Sequence, residues 1–234
     1  MNNTELLELA ISQEAELLDY NSEELNKIGS FLGNSHYFFK EMCKAYLRKD
    51  VIYENKPMIG AKVTVTFNWE EKQVSIQELE ILLQFELSLF LRFIAIVESC
   101  FSEVYPLGTV VELDLDFMPE SFQVLTPQQV NDLPMVLITG RKLSLKDTKT
   151  GYVIDYLAQF WPFGETPGVA PLFLSSLMIR RSISKGFVTP QEEATIQELK
   201  ESLVRQKKVS FAFMNLEKKQ ALLQETQQKE GSHD

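Results

Sequence analysis

Leu79 to Phe101 is the most apolar stretch of this chain, and it narrows the folds available. Ile81, Leu82, Leu83, Phe85, Leu87, Leu89, Phe90, Leu91, Phe93, Ile94, Ile96 and Val97 all fall within it. Immediately upstream, Ser75-Ile76-Gln77-Glu78 has the form of a capping box. In that motif a serine oxygen accepts from the backbone N–H three residues on, and the glutamate reaches back to the serine N–H. Together they predict one long helix over 75–101. A helix apolar almost all round must be buried on more than one side. Gln84, Glu86 and Arg92 interrupt its middle, and charges there are costly in lipid. The reading is therefore a central core helix rather than a membrane span, with a groove along part of it as a further option for docking an apolar partner.

The rest of the chain must cover such a helix. Residues 4–49 carry apolar residues at helical spacing, first Leu6, Leu7, Leu9, Ala10, Leu17 and Leu18, later Tyr37, Phe38, Met42, Ala45, Tyr46 and Leu47. Ser22 opens a second helix and Asn34-Ser35 a third. After the breaker Asn55-Lys56-Pro57, Val63, Val65, Phe67 and Trp69 alternate with Lys62, Thr64, Thr66 and Asn68, the pattern of a half-buried strand. Val111, Leu113, Leu115 and Phe117 repeat it. Residues 118–134 contain three prolines and read as a loop or short helix. Met135–Leu143 and Tyr152–Gln159 read as antiparallel strands joined by a hairpin-type connection through Lys146–Gly151. A short element follows at Phe173–Met178, then a fifth strand at Ile179–Phe187. Thr189-Pro190-Gln191-Glu192 starts a helix, with threonine as N-cap and proline at the first helical position. Its apolar stripe extends the expectation into the 220s.

Composition excludes several function classes. The 234 residues carry a formal net charge of −10, which repels phosphate backbones and anionic membrane surfaces; neither nucleic acid nor membrane insertion is expected. Cys43 and Cys100 are the only cysteines, too few for a disulfide framework and without metal-site spacing, so they read as buried thiols of a reducing cytosol. The first residues lack the basic start of a secretory signal, which gives a cytoplasmic expectation.

Candidate chemistry is sparse. His36 and His233 are the only histidines, so a histidine-based triad or zinc site lacks parts. Glu112, Asp114 and Asp116 fall at period two along the second strand, where they could collect a divalent cation; a solvated strand face is the preferred reading. Gly164 and Gly168 lack a phosphate-loop lysine and spacing. No catalytic, cofactor-binding or metal-ligating set emerges, and an enzyme is not expected. Phe160-Trp161-Pro162-Phe163-Gly164 is the leading interaction candidate, because proline and glycine fix the backbone while exposed aromatics supply contact area at low entropic cost; plugging the core is the alternative role for Trp161 and Phe163. Asp155 reads as a buried, hydrogen-bonded anchor. The basic run Lys200, Arg205, Lys207, Lys208, Lys218 and Lys219 marks a charge asymmetry.

One ordered set of pieces carries a resemblance. Tyr105-Pro106-Leu107-Gly108-Thr109-Val110-Val111-Glu112-Leu113 leads through Val136–Arg141, Tyr152–Tyr156, Phe160–Gly164 and Lys185-Gly186-Phe187 to Thr189–Glu193. This order resembles domain-of-unknown-function family 4176 of Gram-positive bacteria, whose genes accompany LXG toxins and the type VII secretion system. The resemblance covers roughly the middle two-fifths of the chain. It implies a cytosolic accessory or chaperone that binds an LXG-type toxin or other type VII effector. An immunity protein and a non-catalytic component of the secretion machinery remain the alternatives. An Asp-Tyr pair recurs in that family where Asp155-Tyr156 stands here; with Phe160, Trp161 and Phe163 these make the expected partner-binding set. The family module is often shorter than this chain, which adds an N-terminal extension and a C-terminal helix.

The expectation is an α+β fold. A mainly antiparallel sheet of about five strands packs on the long apolar helix, with helical regions at both ends. Residues 1–103 form a helical region with one strand and the core helix, 104–193 a β-rich module, and 194–234 a terminal helix and polar tail, integrated into one domain.

Overall fold

The computed structural model describes residues 1–55, 61–119, 122, 134–144 and 151–214. Three helices come first: α1 (Asn3–Ser12), α2 (Ser22–Asn34) and α3 (His36–Arg48). Asn2 opens α1 with a capping box, its Oδ1 accepting from Glu5 N at 2.9 Å while its own N–H donates to Glu5 Oε2 at 2.8 Å. α3 stops where Lys49 turns left-handed at φ 59°.

A four-stranded antiparallel meander follows: β1 (Ile52–Asn55), β2 (Val63–Asn68), β3 (Gln73–Glu78) and β4 (Ile81–Glu86), in spatial order β1-β2-β3-β4. The register places Val65 opposite Ile76 and Ile76 opposite Leu83, with Phe67, Val74 and Phe85 aligned in the same way. One face is thus a continuous apolar layer, and the other carries Thr64, Thr66, Ser75, Gln77 and Gln84.

This meander corrects the expected 75–101 helix. Ser75–Glu78 is strand, and Leu79-Glu80 is the turn of a hairpin, with Leu79 at φ 51° and exposed. The helix proper, α4 (Leu87–Phe101), begins twelve residues later than the expected start at Ser75. The residues responsible are Val74, Ile76, Leu83 and Phe85, which recur at period two between neighbours that are polar or, at Leu82, exposed, and bury their side chains only as strands.

The second sheet holds β5 (Val110–Leu113), β6 (Met135–Ser144), β7 (Tyr152–Phe160), β8 (Leu172–Leu174), β9 (Ile179–Ser184) and β10 (Val209–Ser210), in order β10-β7-β6-β5-β9, with β8 also on β7. All pairs are antiparallel except β10 with β7. The α+β class and the antiparallel β6–β7 pair stand as expected. The single sheet of about five strands does not: there are two sheets, of four and six strands. The helix α5 (Pro190–Arg205) opens as anticipated, Thr189 Oγ1 accepting from Glu192 N at 3.1 Å. It does not run into the 220s. Lys207 adopts φ 55°, Lys208 N closes on Leu203 O, and Val209 leaves to pair with Tyr152. The sequence beyond Met214, the 118–134 connection apart from its first two residues, Phe122 and Pro134, and nearly all of the 146–151 hairpin connection lie outside the described residues.

α4 is the centre of the larger core. Phe90, Phe93, Ile94, Ile96 and Val97 are buried among α1, α2, the first sheet, β10 and α5. Each such side chain contributes about 1.5–3 kcal/mol of burial. Close approach of α2 to this assembly needs glycine: a Cβ on Gly33 would lie 2.2 Å from Phe101 Cγ. A second core, including Val111, Val136, Ile138, Tyr156 and Leu174, sits within the second sheet. Among the described residues no helix is long and apolar enough to cross a membrane.

Candidate functional site

Where the two halves meet, a cleft of about 900 Å³ opens. Its walls come from parts of the chain far apart in sequence: Tyr46 and Leu47 of α3, Trp69 after β2, Leu87 and Leu91 of α4, Phe117, Leu177 with Met178 before β9, and Phe213 with Met214. The β2–β3 turn and the start of α4 are joined by Leu87 N donating to Lys72 O at 2.7 Å. Trp69 is fixed by its indole N–H donating to Asp50 O at 2.9 Å and by rings of Phe67 and Tyr46 at 5.4 and 5.7 Å. Two cations, Lys49 and Lys72, and two carboxylates, Glu71 and Glu86, stand among the lining residues, so its charge balances. A mainly apolar concavity of this volume falls in the range of ligand and peptide sites.

The seam beside the cleft is tied by charge. Lys40 and Lys44 of α3 each reach Asp114 at 3.2 Å, Lys44 also meets Asp116 at 2.8 Å, and Lys40 donates to Ile179 O at 2.7 Å. Both ammonium groups lie 5.5–5.6 Å from the Phe117 ring centroid. Burial works to raise the Asp114 carboxyl, but the two lysines outweigh it and hold the group below its ordinary range. The acidic triplet is therefore not one strand face. β5 ends at Leu113, Leu115–Phe117 is a 3₁₀ turn, and Glu112 faces the other way to pair with Arg181 at 2.8 Å. Glu112 is held by Arg181 while Asp114 and Asp116 share Lys44, and among the described residues no group of carboxylates, histidines or cysteines is placed to hold a metal.

The five expected partner-binding residues fall into two groups. Asp155 and Tyr156 are fully buried: Asp155 is the hydrogen-bonded anchor that the sequence suggests, and neither side chain reaches a surface where it could meet a partner. Asp155 accepts from Lys142 Nζ at 2.8 Å, from Ser176 N at 3.2 Å and from the Ser210 hydroxyl, joining β6, β7, the turn before β9 and β10. Tyr156 donates to Glu103 O at 2.8 Å and accepts from Tyr105 N at 3.2 Å. Phe160 is half-buried and stacks on Phe122 at 5.9 Å. Trp161 and Phe163 point outward, 47% and 77% exposed, in the loop between β7 and β8. They present a surface instead of plugging the core.

Other candidates settle simply. Cys43 and Cys100 are buried free thiols, and burial pushes Cys100 up to about 12, so it stays protonated and unreactive. His36 lies exposed at the start of α3. In the basic run, Lys200 is buried with its ammonium donating to Cys100 O at 3.3 Å, and Lys208 donates to Ser144 Oγ at 2.8 Å; Lys218 and Lys219 lie outside the described residues.

Sequence reasoning reached the cleft only as a groove along the apolar helix. Its other walls depend on contacts between distant segments. The one local signal was Trp69, an aromatic continuing the β2 alternation beyond the strand's end. Comparison with known proteins gives no matching family model, no matching curated protein and no matching solved structure.

Proposed function

We propose that this protein is a non-catalytic cytosolic accessory protein that holds an apolar segment of a type VII secretion effector, of the LXG-toxin class, in the cleft between its two halves. The observation that carries the reading is the cleft itself: about 900 Å³, walled by Tyr46, Trp69, Leu91, Leu177 and Phe213, with balanced charge in its lining. Such a site recognises apolar side chains rather than a charged head group, as a protein shielding a secreted partner must. The choice of partner rests on the resemblance of the motif order over 105–193 alone. Trp161 and Phe163 add a second exposed aromatic surface, of the residue types that dominate binding energy elsewhere.

The test is co-purification of the tagged protein with the N-terminal and C-terminal halves of an LXG toxin from the same genome, expressed separately. Stable capture of one half supports the accessory reading and locates the bound segment. Capture of the toxic half together with protection of cells expressing it alone makes the protein an immunity factor instead. Capture of secretion-machine subunits but neither toxin half assigns it to the machine.

A further inference from the structure

Behind the Ser176–Met178 turn, whose Leu177 and Met178 form one wall of the cleft, lies a buried group of charges that do not balance. Lys142 and Asp155 are paired at 2.8 Å, and Asp155 is further satisfied by Ser176 N–H and the Ser210 hydroxyl. The remaining member is Glu98 of α4, only 4% exposed. Its Oε1 accepts from the Ser176 hydroxyl. Its Oε2 makes no hydrogen bond of normal geometry, although the Ser102 hydroxyl one helical turn on, itself without such a bond, lies near enough to favour the ionised form weakly.

The cations near Glu98 are committed elsewhere. Lys142 of β6 holds Asp155; Lys200 of α5 donates to Cys100 O. Lys40 of α3 is engaged with Asp114 and Ile179 O. The other titratable groups facing it are Asp155 and Tyr156 of β7 and the thiols Cys43 and Cys100. Two carboxyl groups therefore share one buried ammonium. An ionised carboxylate without its own cation is costly at such depth, and the usual resolution is to keep the proton.

We propose that Glu98 enters the fold as a neutral carboxylic acid, and that its ionisation loosens the packing of the Ser176–Met178 turn on α4. While Glu98 is neutral, Ser176 is held by both Glu98 and Asp155. Loss of the proton strengthens the bond from the Ser176 hydroxyl but places a second buried anion beside Asp155 on the same turn, and that repulsion loosens the wall of the cleft. Burial raises the Glu98 carboxyl above its ordinary range, Asp155 adds to the rise, and Lys142 with Ser176 and Ser102 oppose it without cancelling it. The folded state thus binds one proton more than the unfolded chain above the unfolded glutamate value near ~4.3. Stability is greatest below that value and declines as pH rises toward the folded value. Over that window the folding equilibrium constant falls up to about tenfold per pH unit from this group. The inference stands whatever occupies the cleft.

The experiment compares denaturant unfolding of the wild type and Glu98→Gln from pH 5 to pH 8, with amide exchange followed at Ser176, Leu177 and Met178. Glutamine keeps the neutral shape and needs no proton. The expected result is a variant more stable than wild type, its advantage growing up to about tenfold in folding constant per pH unit, and with it a loss of pH-dependent exchange at those three amides after correction for intrinsic rates. A variant less stable than wild type by the same factor at every pH would overturn the proposal, because Glu98 would then be an ionised, paired carboxylate. If Glu98→Gln does not fold, a pH titration of glutamate-labelled wild type by carbon-13 NMR decides: a Glu98 carboxyl that ionises above the ordinary glutamate range supports the proposal, and one that ionises within or below that range overturns it.

Discussion

Replacing Asp155 by asparagine tests the internal tie on which the second sheet depends. The substitution keeps the volume and removes the charge. It leaves the Lys142 ammonium, itself buried, without its carboxylate at 2.8 Å, and it weakens the acceptor for Ser176 N–H and the Ser210 hydroxyl. Removing one member of a buried pair costs about 3–5 kcal/mol, most of it from the stranded charge rather than the lost attraction. Glu98 lies close enough to feel Lys142 and takes up part of the released ammonium, which places the expectation at the lower end, about 3 kcal/mol. For a chain of this size that corresponds to a fall in melting temperature of roughly 6–12 °C. Urea unfolding of Asp155→Asn, Lys142→Met and the double variant Lys142→Met/Asp155→Asn supplies the comparison. The double variant should be more stable than Asp155→Asn, since no charge is stranded. A loss below about 1 kcal/mol for Asp155→Asn, or additive losses in the double variant, refutes the account of the tie.

Other perturbations probe separate parts of the account. Gly33→Ala drives a methyl group to 2.2 Å from Phe101 Cγ and should cost about 1–3 kcal/mol by overpacking, against a helix-propensity gain of at most about 1, read by thermal unfolding. Phe163→Ala removes a side chain that is 77% exposed, so stability should stay within about 0.5 kcal/mol of wild type while retention of the partner falls in a pull-down. The Asp114 carboxyl is held below its ordinary range by burial-opposing lysines; its contribution is therefore present above the unfolded aspartate value near ~3.9 and lost as pH falls through the folded value. The stability gap between wild type and Asp114→Asn should accordingly be open at pH 7 and close in acid.

The parts of the fold that local chemistry determines were legible in the sequence. Thr189-Pro190 starts a helix because cap geometry is set within four residues, and Val63–Phe67 alternates because each side chain must choose a face. The β6–β7 pair follows from two such runs separated by a short polar connection. Ser75–Glu86 was misread because its capping-box letters and its period-two alternation are both present, and only pairing with β2 decides between them. Nothing local announces a hairpin at Leu79-Glu80, where a leucine rather than a glycine takes the positive φ. The end of α5 was hidden for the same reason, since Val204, Val209 and Phe213 fit a helical stripe until β7 offers Val209 a strand partner. For the aromatic loop the sequence allows either a contact surface or a core plug, and burial alone decides for the surface; Asp155 serves the interior, as its place within a strand suggests, and Tyr156 goes with it. The cleft lay beyond local reading because its walls come from six separated segments.

The central claim is that the cleft holds the partner, and Leu47 offers the most direct test. It lines the cleft, is 54% exposed, and sits in the last turn of α3, where a lysine is compatible with the helix. Leu47→Lys therefore leaves the fold intact while placing a charge against the apolar occupant. The measurement is quantitative co-purification of the LXG toxin half with wild type and Leu47→Lys, each checked for unchanged thermal unfolding. The account predicts that the folded variant loses most of the partner. Equal retention by both proteins would contradict it and move the docking surface to the Trp161–Phe163 loop.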